Sequence, residues 1–193
     1  MPHESPARSA PERLDVAVDA SVMWRGDKPV AAVVAWVFAS DPEHLDCENG
    51  SGDLTGSLVL PAGVGVLAAE LTAIAVAIEQ ALRLHPLPER LRVLSDSRAA
   101  LDTLRRARTQ GRKARDAEED ALKRVTDATR AAENGRMRIE LAHVRGHGGH
   151  PLNEAAHRLA TDAARQAASQ QVASQPAASQ RASPRRTGAS PGC

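Results

Sequence analysis

The sequence predicts an α/β domain in which a mixed five-stranded sheet is flanked by helices, in the order βββαβα(α)βα. Three observations carry this. Valine-rich apolar runs at Leu14–Val22, Val30–Ala39 and Leu54–Leu60 follow one another with only turns or loops between. A helical period then appears at Leu67, Leu71, Ile74, Ile78 and Leu82. Two further apolar runs, Leu91–Leu94 and Met137–Val144, alternate with helical stretches.

Taken in order, Leu14–Val22 is a strand interrupted by acids, and it pairs with Val30–Ala39 through a turn at Arg25-Gly26-Asp27. Residues 41–53, rich in Asp, Pro, Asn, Gly and Ser, form a long loop before a third strand closes an antiparallel meander. The first helix ends before Pro86 and Pro88, which cannot continue it. After Leu91–Leu94, Ser95-Asp96-Ser97 caps a second helix. The basic stretch Arg105–Arg115 interrupts before a mixed-charge helix from Asp116 to about Ala132, which Asn134-Gly135 stops. A last strand, the loop GHGGHP and a terminal helix from Asn153 to about Arg165 complete the domain. Residues 1–13 read as a flexible arm and 14–165 as the domain. The Ser/Gln/Ala/Pro/Arg repetition of 166–193 cannot bury a core and is expected to be disordered.

Composition excludes several classes. The chain has 193 residues with a net charge of +1, so it is no histone-like cation. Aromatic residues are only 2%, too few for a protein that stacks successive bases on aromatic platforms. Cys47 and Cys193 cannot build a disulfide framework or a cysteine zinc site, which suits a reducing, cytoplasmic setting. The longest apolar run, Val30–Ala39, falls short of the ~20 residues that span a bilayer, and no secretory apolar region opens the chain.

Three carboxylates stand where hydrophobic patterning would not put them. Asp19 interrupts the first strand near its end, Glu70 lies in the first turn of an otherwise apolar helix, and Asp96 sits where the fourth strand hands over to a helix. If the first and fourth strands are neighbours, Asp19 and Asp96 end side by side. Buried carboxylates brought together raise one another's pKa unless a cation intervenes, and a hard divalent ion with oxygen ligands is the usual partner. Taken singly, each acid has an ordinary explanation: Asp96 as a helix cap, Glu70 on a helix dipole, Asp19 at an exposed strand end.

Together with the run V-R-G-H-G-G-H-P-L-N-E-A-A-H-R-L-A from Val144 to Ala160, these residues resemble the type I ribonuclease H family. The resemblance spans about residues 14–165. It matches VDAS to the family's first acid, AAELTAIAVAI to its helix acid, SDSRAAL to its third acid, and the terminal run to its glycine-histidine loop and last helix. It implies a ribonuclease H-like fold and an endonuclease that hydrolyses the RNA strand of RNA–DNA hybrids to 5′-phosphate and 3′-hydroxyl products. It also implies two Mg²⁺ or Mn²⁺ ions, typically ~3.5–4 Å apart. Asp19, Glu70 and Asp96 would then hold metal, and His147 on the glycine loop would assist proton movement or product release. Substrate contact would fall to Ser21, Ser97 and Asn153. The partner is the hybrid, with no membrane, and the protein is expected to act as a monomer.

Two departures from the family pattern stand out. The position of the fourth acid holds His157, a neutral nitrogen donor, which is expected to bind metal directly or through water and to favour Mn²⁺. Glu154, one turn earlier on the same face, is the alternative occupant. The asparagines that many relatives place before the helix acid are absent from G-V-G-V-L-A-A-E, and Val22-Met23-Trp24-Arg25-Gly26 replaces a glycine-rich loop. Those segments help read the 2′-hydroxyl that separates RNA from DNA. The stretch Arg105–Arg115 holds six cations and no acid, and Arg105, Arg106, Arg108, Arg112 and Lys113 are expected to contact phosphate.

Three other functions compete. One is a zinc site from His143, His147, His150 and His157, weakened by the lack of cysteine. Another is a nucleic-acid-binding module that keeps the fold and has lost catalysis. The last is a nuclease of the same superfold acting on double-stranded RNA or DNA junctions.

Overall fold

The computed structural model describes residues 12–40, 55–110 and 116–174. Most of the expected arm, the 41–53 loop, Arg112, Lys113, both cysteines and the chain after Ser174 lie outside the described residues.

The elements are β1 (Arg13–Arg25), β2 (Lys28–Ala39), β3 (Thr55–Leu60), α1 (Val66–Ala81), β4 (Arg90–Ser95), α2 (Arg98–Gln110), α3 (Asp116–Asn134), β5 (Arg138–His143) and α4 (Pro151–Ser174). The five strands form one sheet in the order β3-β2-β1-β4-β5. β1–β2 and β2–β3 are antiparallel, whereas β1–β4 and β4–β5 are parallel, so the sheet is mixed as expected. β1 and β4 are therefore neighbours, and Ala17 pairs with Leu94 two residues before Asp19 and Asp96; β1 runs on to Arg25, so Asp19 lies mid-strand rather than near its end.

Side-chain alternation splits β1 between two layers. Leu14, Val16 and Val18 face a core closed by Leu71, Ile74, Ile78 and Leu101, together with Val125 of α3. Ala17 faces the other layer with Val37, Leu94, Leu152 and Ala156. α1 is alanine-rich and buried over most of its length, so it lies close against the sheet.

Three boundaries differ from expectation. The β1–β2 hairpin is longer, its arms closing on Gly26 in the left-handed region at φ 59. The basic stretch does not interrupt at Arg105: α2 continues through Gln110 and carries Arg105, Arg106 and Arg108. Helix propensity is high for Arg and Ala, and Leu101 and Leu104 anchor the preceding turn in the core.

The terminal helix also corrects the expected tail. Pro151 opens α4, at the position where its fixed φ and missing N–H suit a helix start. The helix then runs through Ser174 instead of stopping near Arg165, so residues 166–174 are helical. Ala164 and Ala167 pack on Ala31 and Val33 of β2, with Met23, Ala163 and Ala168 around them. Alanines at helical spacing bury a narrow face even where overall composition is polar. Among the described residues, no helix is long and apolar enough to cross a membrane.

Candidate active site

β1, α1 and β4 deliver the three acids to one place. A carboxylate oxygen from each of Asp19, Glu70 and Asp96 lies within 4.8 Å of the other two. Among the described residues this is the one group of three or more His, Cys, Asp or Glu side chains so arranged. Asp19 is 5% exposed and Glu70 6%, while Asp96 at the strand end is half-buried.

Crowding and burial act together on these groups. Burial, then the charges of Asp19 and Asp96, push the Glu70 carboxyl up to about 8. Asp19 is raised for the same reasons, burial first and Asp96 second. His157 and the backbone N–H of Ala20 pull it back down. Glu70 Oε2 is buried with no hydrogen-bond partner among the described residues. A buried carboxylate oxygen left so costs on the order of 1–3 kcal/mol unless something answers it. Three converging carboxylates with an unanswered oxygen fit a hard divalent cation, which takes all its ligands from oxygen.

His157 of α4 lies outside this set of three but touches it: its Nδ1 is 3.0 Å from Asp19 Oδ2. The His147 ring stands edge-on to His157, centroids 5.0 Å apart and planes at 84°. His147 occupies the left-handed region at φ 52, uncommon for a non-glycine residue and found where surroundings enforce it. Beside it, Gly146 leaves room for Asp96: a Cβ there would sit 2.7 Å from Asp96 Oδ2. The β5–α4 loop thus touches Asp96 directly and Asp19 by way of two histidines.

Other expected residues fall less neatly. Ser21 lies two residues beyond Asp19 on the same face of β1 and is half-buried. Ser97 is half-buried, and its hydroxyl accepts the Ala100 N–H at 3.3 Å, capping α2. Asn153 is only 2% exposed, with Oδ1 unpartnered among the described residues. The cause is helical position: Asn153 sits between Leu152 and the α4 alanines that pack on the sheet. Glu154 is not in the acidic cluster. The four-histidine zinc arrangement does not form among the described residues, and His143 instead lies 3.4 Å from the Nε of Arg98. Arg105 donates to Asp102 at 3.0 Å on its own helix.

Sequence reasoning missed one buried acid. Asp15, 1% exposed and four residues before Asp19 on the same strand, accepts from Arg92 Nε at 3.2 Å and pairs with Arg13 at 3.2 Å. The register explains it, since Asp15 stands opposite Arg92 across β1–β4. The signal available was an arginine inside the apolar run L-R-V-L.

A family model described as RNase H matches residues 52–165, more than half of the chain. That match begins after β1, so Asp19 is placed by the fold rather than by the match. No curated protein matches the sequence. Among solved structures, the N-terminal RNase H domain of rv2228c from Mycobacterium tuberculosis is similar at 17% identity and a TM-score of 0.57. That likeness covers 82% of this chain and 99% of that one. LC9-RNase H1, a type 1 RNase H with the type 2 active-site motif, is similar at 23% identity and a TM-score of 0.56, over 83% and 75% of the two chains. A foamy viral protease-reverse transcriptase in complex with RNA/DNA hybrid is similar at 14% identity and a TM-score of 0.52, over 86% of this chain and 22% of that one.

Proposed function

The chain belongs to the RNase H family, and on that premise we propose that it hydrolyses the RNA strand of RNA–DNA hybrids with the help of divalent cations. The observation that carries this reading is the convergence of Asp19, Glu70 and Asp96 within 4.8 Å, with Glu70 Oε2 unanswered. These three residues would hold the metal, Mg²⁺ or Mn²⁺. When bound, a pair of such ions supplies Lewis-acid activation for in-line phosphodiester hydrolysis, leaving 5′-phosphate and 3′-hydroxyl ends.

The chain's own residues account for the rest. Burial of Asp19 and Glu70 excludes water that would otherwise screen them, so a cation bound at the cluster would meet their carboxylates at close to full strength. Gly146 lets the β5–α4 loop close down on Asp96 without displacing its carboxylate. His147 is exposed on that loop and reaches the site's edge against His157, where it would assist proton movement or product release. Ser21 extends the same face of β1 past Asp19, within the path a substrate phosphate would take. Arg105, Arg106 and Arg108, in the C-terminal half of α2, would add sequence-independent attraction to phosphate.

The test is cleavage of an RNA–DNA hybrid labelled on either strand, in Mg²⁺ and in Mn²⁺, with Asp96→Asn as the blank. The expected result is cutting of the RNA strand alone, reduced at least about 100-fold in the variant, because even partners of metal ligands cost 10–100-fold when lost. Folded protein that binds hybrid but cuts neither strand in either metal would leave the binding module in place of the enzyme.

A further inference from the structure

We propose that His157 is a positioning residue, which fixes the Asp19 carboxylate through a hydrogen bond from Nδ1 and does not itself hold the metal. This rests on the metal-site reading above and departs from the expectation that His157 would stand in as a fourth ligand. Two observations carry it. His157 lies outside the group of side chains whose ligand atoms all approach within 4.8 Å. Its Nδ1 is spent instead on Asp19 Oδ2, 3.0 Å away.

A carboxylate that ligates a metal is ionised and has no proton to give, so with Asp19 in that role Nδ1 would be the donor of this bond. That bond occupies one lone pair of Oδ2 and sets the rotation of the carboxylate about its Cβ–Cγ axis. Among the described residues, the other hydrogen bond that steadies Asp19 comes from the Ala20 backbone N–H. His157 is fixed in turn by the edge of His147 at 5.0 Å, with that residue held at φ 52 by the glycine loop. A carboxylate at position 157 would face Asp19 as a like charge at hydrogen-bonding distance. The imidazole adds a donor there with no negative charge, so three carboxylates rather than four surround the cation. Carboxylates that ligate metals are themselves usually hydrogen-bonded, and such partners set ligand orientation. On this account the nitrogen-based reason for preferring Mn²⁺ falls away.

The test uses Mn²⁺ bound to the full chain, read by electron spin-echo spectroscopy for directly coordinated ¹⁴N. The expected spectrum shows no ligated nitrogen, and a strong ¹⁴N coupling that disappears in His157→Ala would overturn the proposal while leaving the metal site intact. Failure of wild-type protein to bind Mn²⁺ at all would instead sink the metal-site reading beneath it. Calorimetric Mn²⁺ titration gives a second, independent readout. His157→Ala is expected to weaken binding about 10–100-fold. His157→Asn, which keeps a donor near Asp19, is expected to recover most of that loss. Unchanged affinity in the alanine variant, or equal loss in both variants, would contradict a role exerted through Asp19.

Discussion

Asp15 and Asp19 lie on one strand and one face, and their circumstances are opposite. Asp15 is answered by Arg92 and Arg13, so it reads as a staple between β1 and β4. Asp19 has other acids beside it and, among the described residues, takes its side-chain hydrogen bond from a histidine. Nothing in L-D-V-A-V-D-A-S-V distinguishes the two, because the difference lies in strand register. Glu70 carries the sharpest consequence. Its carboxyl is pushed up from 4.5 to about 8 by burial and by its acidic neighbours, so the metal-free fold prefers it protonated. A raised folded-state value means that the contribution is fully present below pH 4.5 and is lost as pH rises through about 8. The metal-free protein should therefore lose stability between those limits. Glu70→Gln should melt above the parent at about pH 9 in chelator, and saturating Mn²⁺ should restore the parent's deficit. Thermal melts across pH check this, and a parent stability flat across that range would count against a clustered, buried Glu70.

Elements with a strong hydrophobic period were legible, and those held by small residues were less so. α1 was visible because Leu67, Leu71, Ile74, Ile78 and Leu82 recur at helical spacing, and β2 because ten apolar residues run together. The far half of α4 was not, because alanine, serine and glutamine read as low complexity until Ala164 and Ala167 are seen against Ala31 and Val33. Likewise the run G-H-G-G-H-P gives no sign that Gly146 lacks a side chain to make room for Asp96. The terminal half of α4 gives a separable prediction. Ala167→Asp would bury a charge at a position 8% exposed and should cost ~1–3 kcal/mol in urea unfolding. Mn²⁺ affinity should hardly change, since His157 lies nearly three turns earlier on the helix. A variant of unchanged stability would mean that residues beyond Arg165 contribute no packing.

At the scale of the molecule, the site exists only because a mixed sheet sets β4 beside β1. Asp19, Glu70 and Asp96 are far apart along the chain and meet at one end of neighbouring parallel strands, where α1 crosses the sheet. The composition could exclude broad classes but could not assemble the site, which required strand order. The parallel β1–β4 pairing supplied it, and the same pairing placed Asp15 against Arg92 at the opposite end. Metal binding at this cluster would therefore be coupled to folding, since the unfolded chain brings no two of these acids together. Whether these acids form one cation site is read out by calorimetric titration with Mn²⁺ at about pH 7 in two buffers of different ionisation enthalpy. With Glu70 raised to about 8, metal binding should be saturable and release roughly 0.9 proton, a release abolished in Glu70→Gln. Absence of saturable binding, or binding whose heat is the same in both buffers, would contradict such a site.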